Sequence, residues 1–211
     1  MNAAVELHKG VPPNWYFRSL RENILQRYWH VRRFIEVKKV VEPAEKILDI
    51  GSADGVFTNV VSQATNAKKA VGIEVLKTSV DWANRHWVRN KTLSFRVGDG
   101  HALPFAANTF DAVFALEVLE HVFEPEKILA EIRRVLKKGG YAVFLVPSES
   151  YLFKVVWFLW HYMGRMVWKD THIQSFSNSL LAKKAKAAGF KIEVDKKFHL
   201  GMLHLVKVRK K

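Results

Sequence analysis

The sequence predicts an α/β fold, Rossmann-like, with a mostly parallel sheet, helices on both faces and an antiparallel strand at the end. Three observations carry this. Short apolar runs alternate with helix-like segments between Lys46 and Val146. The first run, Lys46-Ile47-Leu48-Asp49-Ile50, passes directly into the loop Gly51-Ser52-Ala53-Asp54-Gly55. Two last runs, 190–198 and 202–209, are separated only by His199-Leu200-Gly201. Unbroken apolar strands alternating with helices indicate a parallel sheet covered on both faces. A connection that short joins antiparallel neighbours.

The elements follow in order. Pro12-Pro13-Asn14 closes an irregular start. From Trp15 to Val41 one long helix is expected, because Phe17, Leu20, Ile24, Tyr28, Val31 and Ile35 recur at three- and four-residue steps, and Pro43 ends it. Strands are expected at 46–50, 69–73, 93–97, 111–116 and 140–146, and helices at about 55–65, 77–89 and 125–137. Lys137-Lys138-Gly139-Gly140 reads as a helix C-terminus, with basic residues before a glycine stop. Residues 151–168 are almost continuously apolar and aromatic, a helix is expected at 177–188, and Gly189 ends it.

With 211 residues, the chain is long enough for one well-filled core, and a single domain is expected. It divides into an N-terminal capping helix (14–42), a ligand-binding core (46–146), an aromatic insertion (148–176) and a C-terminal helix with a strand pair (177–211). There is no cysteine, which removes disulfides, thiolate metal sites and thiol nucleophiles; no metal site is expected. Residues 1–10 have no apolar core, so no signal peptide is read there and a cytoplasmic location is expected. The net charge of +14 is uneven: about +4 over 1–48, +1 over 49–147 and +9 over 148–211. A basic C-terminal third leaves nucleic acid, anionic lipid and acidic small molecules open as partners, beside a plain lysine-rich surface.

The chemistry lies in a series of acids. Asp49 ends the first strand, Glu74 the second, Asp99 follows the third and Glu117 the fourth. Parallel strands bring their C-terminal ends to one edge, where a ligand sits in the crevice. A carboxylate at the spacing of Glu74 from Gly51 commonly accepts both hydroxyls of a ribose. Asp99 suits an exocyclic amine, Gly51 and Gly55 allow close backbone approach, and Asp49 suits loop organisation or an ammonium. A pyrophosphate would be repelled by such an edge, whereas an adenosyl sulfonium with an amino-acid tail is not. Glu117 and Glu120 also read as ordinary acids at a helix N-terminus, and His121 as a packed histidine.

These motifs resemble the class I S-adenosylmethionine-dependent methyltransferases. The resemblance is carried by Leu48-Asp49-Ile50-Gly51-Ser52-Ala53-Asp54-Gly55, Gly72-Ile73-Glu74 and Gly98-Asp99-Gly100-His101-Ala102-Leu103-Pro104-Phe105. Phe110 to Phe114, Glu117 to Val122 and Leu136 to Gly140 continue it. It is strongest over 46–146, weaker over 172–209, and points to the small-molecule and lipid branch that includes the ubiquinone/menaquinone C-methyltransferases, with a type-11 methyltransferase domain. It implies seven strands with the last inserted antiparallel, S-adenosylmethionine as cofactor and S-adenosylhomocysteine as product. By motif match the cofactor residues are Asp49, Gly51, Ser52, Ala53, Gly55, Glu74, Val75, Asp99, Gly100, His101 and Glu117. The family usually has glycine where this chain has Ala53, and alanine serves there when φ is negative.

The acceptor side is read from the remaining residues. Ser19, Asn23, Gln26, His30 and Arg33 form a polar stripe on the N-terminal helix, either capping the cleft through Asn23, His30 or Arg33 or facing solvent. Residues 151–168, with Tyr151, Trp157 and His161, suit an acceptor pocket or lid, an interfacial helix touching a membrane, a dimer contact, or plain burial. His121, His172 and His30 are the imidazoles available as a base. The expected reaction is methyl transfer to a small hydrophobic or lipid-like acceptor. An RNA methyltransferase using the basic third, or a non-catalytic cofactor-binding subunit, is the alternative. A nicotinamide dehydrogenase fits poorly, because the loop is not G-x-G-x-x-G. Oligomeric state is not legible.

Overall fold

A computed structural model describes residues 5, 6, 8, 10–148, 173–176 and 180–211. The elements are α1 (Trp15–Glu22), α2 (Ile24–Lys38), β1 (Lys46–Ile50), α3 (Val56–Ala64), β2 (Lys69–Glu74), α4 (Lys77–His86), β3 (Leu93–Val97), β4 (Phe110–Leu116), a 3-10 turn (Leu119–His121), α5 (Pro125–Val135), β5 (Leu136–Pro147), α6 (Leu180–Ala187), β6 (Phe190–Phe198) and β7 (Leu203–Lys210). One seven-stranded sheet has the order β3-β2-β1-β4-β5-β7-β6. β1 to β5 pair in parallel, and β7 is inserted antiparallel between β5 and β6. The α/β class, the seven strands and the antiparallel insertion are as expected from the sequence.

Alternate residues of the central strands feed separate cores. Leu48, Ile50, Val113, Ala115 and Phe144 face α5 and α6, packing with Ile128, Leu129, Ile132 and Leu181. Ile47, Ala112, Phe114, Val143 and Leu145 face the other way, toward Val37 of α2 and Phe57 and Val61 of α3. Period-two alternation with both sets fully buried is why these strands read as unbroken apolar runs.

The structure corrects the sequence reading in three places. The single helix 15–41 is two helices. Asn23 leaves the helical region (φ −136°, ψ 112°) and its side chain accepts from the N–H groups of Leu25 and Gln26, which makes it the N-cap of α2. The apolar stripe of α2 also faces outward. Ile24, Tyr28, Val31 and Ile35 are exposed, while His30, Arg33, Glu36 and Val37 are buried. Finally, Lys137 to Gly140 do not end a helix. Leu136 enters β5 directly from α5, Gly139 takes φ +77° inside the strand, and the β4–β5 register shifts between Phe110 and Ala112 to accommodate it. The aromatic segment 151–168, with Tyr151, Trp157 and His161, and also His172, lie outside the described residues.

Candidate cofactor and acceptor cleft

The loop after β1 is shaped by its backbone. Gly51 and Gly55 have φ +70° and +79°, and a Cβ on either would come within 2.4 Å of Val118 or Phe95 respectively. Glycine is required at both. Ala53 also has positive φ, +44°, so the negative angle expected there is not adopted. Its N–H donates to Glu74 Oε2 (3.1 Å), which holds the residue in this conformation. The N–H groups of Gly51 and Ser52 both donate to the Ile73 carbonyl (2.8 and 3.1 Å), tying the loop to the end of β2.

Asp54 anchors the loop to the N-terminal helices. It is 1% exposed and accepts from the N–H of Phe17 (2.8 Å) and of Val56 (3.3 Å). One carboxylate thus serves the first turns of α1 and α3, which favours its charged form, yet burial pushes its pKa up to about 6. The sequence reading passed over this role. The signal available was an acid two residues before a helix, the usual Asx cap.

A cleft opens between this loop and the chain leading into α1, with about 870 Å³ of empty space counting its open mouth. Its acidic edge comprises Glu74, Asp99 and Glu117, with the backbone of Gly51, Ala53, Val75, Gly100 and His101. The same cleft is lined by the apolar residues Val11, Pro12, Pro13, Trp15, Val118 and Val122, and by His121. Glu74 also accepts from Leu76 N–H (3.0 Å). An ionised carboxylate has about four acceptor sites, so capacity for a diol remains. Asp99 Oδ1 accepts from the backbone N–H of His101 (2.9 Å) and lies 2.6 Å from its Nδ1. Partial burial raises the Asp99 pKa, but these bonds outweigh it and hold the carboxyl below its usual range. After the undescribed segment the chain returns beside the cleft, where Ile173 and Gln174 N–H both donate to the Glu120 carbonyl (2.8 and 3.0 Å).

Several expected site residues lie elsewhere. Asp49 is 2% exposed beneath the loop and accepts from Thr58 Oγ1 (2.6 Å). Burial raises its pKa to about 7, reinforced by the charge of Glu74 and opposed by Thr58. Ser52 is buried, and its hydroxyl has no partner among the described residues. Asn23 caps α2. His30 and Arg33 are buried inside the N-terminal layer instead of lining the cleft. His30 Nδ1 accepts from Arg33, which can only donate. The ring proton therefore sits on Nε2 and donates to Ser19 Oγ (2.8 Å), whose own proton goes to the Tyr16 carbonyl (2.9 Å). Burial and the Arg33 charge push the His30 pKa down to about 2, so it is neutral. Arg33 pairs with Glu117 and packs over the rings of Phe57 and Tyr16. Burial lowers its pKa to about 10, and it remains charged. Ser19, His30 and Arg33 of the polar stripe thus form a buried network that meets the cleft at Tyr16 and at Glu117, which itself has φ +59°.

Comparison with known proteins agrees with this geometry. A family model described as a methyltransferase domain matches residues 48–144. The chain is 28% identical over 188 residues to the ubiquinone/menaquinone biosynthesis C-methyltransferase of Desulfotalea psychrophila, covering 82% of this chain and 76% of the relative. It is 30% identical over 191 residues to the ubiquinone biosynthesis O-methyltransferase of Paraburkholderia phymatum, covering 86% and 78% respectively. The fold matches that of the N-methyltransferase NodS from Bradyrhizobium japonicum, a structure containing S-adenosylhomocysteine. The TM-score is 0.70 at 17% identity, covering 100% of this chain and 99% of that one. An acidic edge without a phosphate-binding G-x-G-x-x-G loop, in a sheet of this order, fits the same nucleoside. The chain belongs to the class I S-adenosylmethionine-dependent methyltransferases and takes its methyl group from that cofactor.

Proposed function

We propose that the acceptor is a small, hydrophobic, lipid-like molecule of the quinone-ring type. The observation that carries this is the apolar part of the cleft lining, Val11, Pro12, Pro13, Trp15, Val118 and Val122, beside Glu74, Asp99 and Glu117. An apolar ring or tail is favoured there, and a polyanion is not. The relatives named for ubiquinone and menaquinone biosynthesis act on compounds of this class by their names, which supports the same reading here.

The donor set fits a sulfonium nucleoside. In this reading Glu74 accepts from the ribose hydroxyls, Asp99 from the adenine amine, and the backbone at Gly51 meets the amino-acid end. Glu117 adds negative charge whose repulsion by its neighbours is relieved by Arg33. The bound sulfonium supplies an already activated methyl group. The chain then has to position the acceptor and exclude water, to which Trp15 and the Pro12-Pro13 segment in the cleft lining contribute apolar surface. His121 lines the same cleft, as His8 and His101 do, and in this reading takes a proton from a ring hydroxyl or carbon.

The test is transfer of labelled methyl from the cofactor to three candidate pools: hydroquinones with a polyprenyl tail, water-soluble phenols, and RNA. Label is expected in the lipid-extractable hydroquinones. Label in RNA alone would overturn the reading. Glu74→Ala should weaken cofactor binding about 10- to 100-fold, the effect of losing charged hydrogen bonds. His121→Ala should lower kcat while leaving stabilisation by S-adenosylhomocysteine intact.

A further inference from the structure

The outward face of α2 is inverted relative to an ordinary surface helix. At 100° per residue, Ile24, Tyr28, Val31 and Ile35 fall within an arc of about 60°. All four are exposed, Ile24 to 82% and Tyr28 to 60%. Arg27 and Lys38 border this arc on one side and Arg32 on the other. The only acid of the helix, Glu36, is buried and is held by Lys39 (2.7 Å) and Lys196 (2.8 Å), with Arg32 at 4.0 Å. The surface is continued by the β6–β7 turn. His199 stacks on Trp29 with ring centroids 4.8 Å apart and meets Tyr28 edge-on at 5.7 Å. The next residue, Leu200, is 85% exposed, and both turn residues hold positive φ, 53° and 54°. A leucine kept at positive φ in order to project into solvent costs stability and gains no packing.

We propose that the outer face of α2, with Leu200, docks this enzyme on an anionic lipid bilayer. An apolar stripe bordered by cations and lacking carboxylates is the pattern of a helix lying in the headgroup–acyl boundary. Charge complementarity selects the partner. A chain of net charge +14 is drawn to an anionic surface. A second copy would bring Arg27 and Lys38 against their own kind with no acid on this face to pair them. Nucleic acid would meet the cations but leave the apolar centre unsatisfied. The inference is independent of what the acceptor is.

Co-sedimentation with phosphatidylglycerol/phosphatidylcholine vesicles tests it, with pure phosphatidylcholine as the control. Binding to the anionic vesicles is expected, weakening at high salt. Arg27→Gln and Lys38→Gln should each lower partitioning about fivefold. Ile24→Ser with Leu200→Ser should lower it about tenfold or more, since buried apolar area sets the insertion term. These side chains are exposed, and a retained thermal shift with S-adenosylhomocysteine will show that the variants are folded. Absence of binding to anionic vesicles would overturn the proposal. So would binding that ignores Ile24→Ser with Leu200→Ser, or a dimer dissociated by that pair in a protein that ignores vesicles.

Discussion

Ala53 shows how much one residue can hide. Its N–H must reach Glu74, and the loop between Gly51 and Gly55 has to turn left-handed to bring it there. A β-carbon at φ +44° carries a steric cost of roughly 1–2 kcal/mol, of which glycine would return part by its greater freedom when unfolded. Ala53→Gly should therefore stabilise the protein by about 0.5–1 kcal/mol in urea unfolding and leave cofactor affinity intact or improved. A destabilised variant would mean that the loop is not left-handed at this position. The identity of the loop was legible from Asp49, Gly51 and Gly55, but the sign of φ at 53 was not. Nothing in a sequence states that Glu74, 21 residues on, will hold an alanine amide in that conformation.

At the scale of elements, the strands of the sheet were legible because burial on both faces leaves an unbroken apolar signature. The helices before them were legible only as amphipathic. Periodicity runs through Asn23 without a break, because Leu20 and Ile24 are still four residues apart, so the N-cap within it was masked. Periodicity also defines a stripe without saying which side faces in. Here the polar side is inside because Glu117, at the end of β4, meets Arg33, and Ser19 of α1 meets His30. Those partners are remote in sequence. The same geometry makes a prediction about the layer. Arg33→Met leaves the Glu117 carboxylate without its cation and should cost about 1.5–3 kcal/mol, less than for a fully buried pair because Glu117 faces the open cleft. Adding Glu117→Gln should recover a large part of that loss. Additive losses in a double-mutant cycle would show that the pair does not couple α2 to the cleft.

For the molecule as a whole, buried ionisable groups set opposing responses to pH. Asp49 has a folded pKa of about 7 against an ordinary 3.8, raised chiefly by burial. Between those values the unfolded chain has released a proton that the native state retains, so this group removes stability as pH rises. Asp54, at about 6, acts in the same direction. His30 does the reverse. Its folded pKa is about 2 against an ordinary 6.5, so below 6.5 the unfolded state gains a proton that the native state refuses, and stability falls with acid. From about pH 4.5 to 6.5 Asp49 and His30 thus pull in opposite senses, each with a slope of up to about 1.4 kcal/mol per pH unit. With Asp54 acting beside Asp49, two carboxyls oppose one imidazole below about pH 6, so wild-type stability should fall as pH rises there, but less steeply than the two carboxyls alone would make it. Asp49→Asn leaves Asp54 and His30 opposed, so its unfolding free energy should be nearly level with pH below about 6, where that of the wild type falls. His30→Gln leaves both carboxyls unopposed and should make the fall steeper than in the wild type. Urea titrations at three pH values within the window measure both slopes, and three parallel lines would mean that neither group is held in the protonation state its burial imposes.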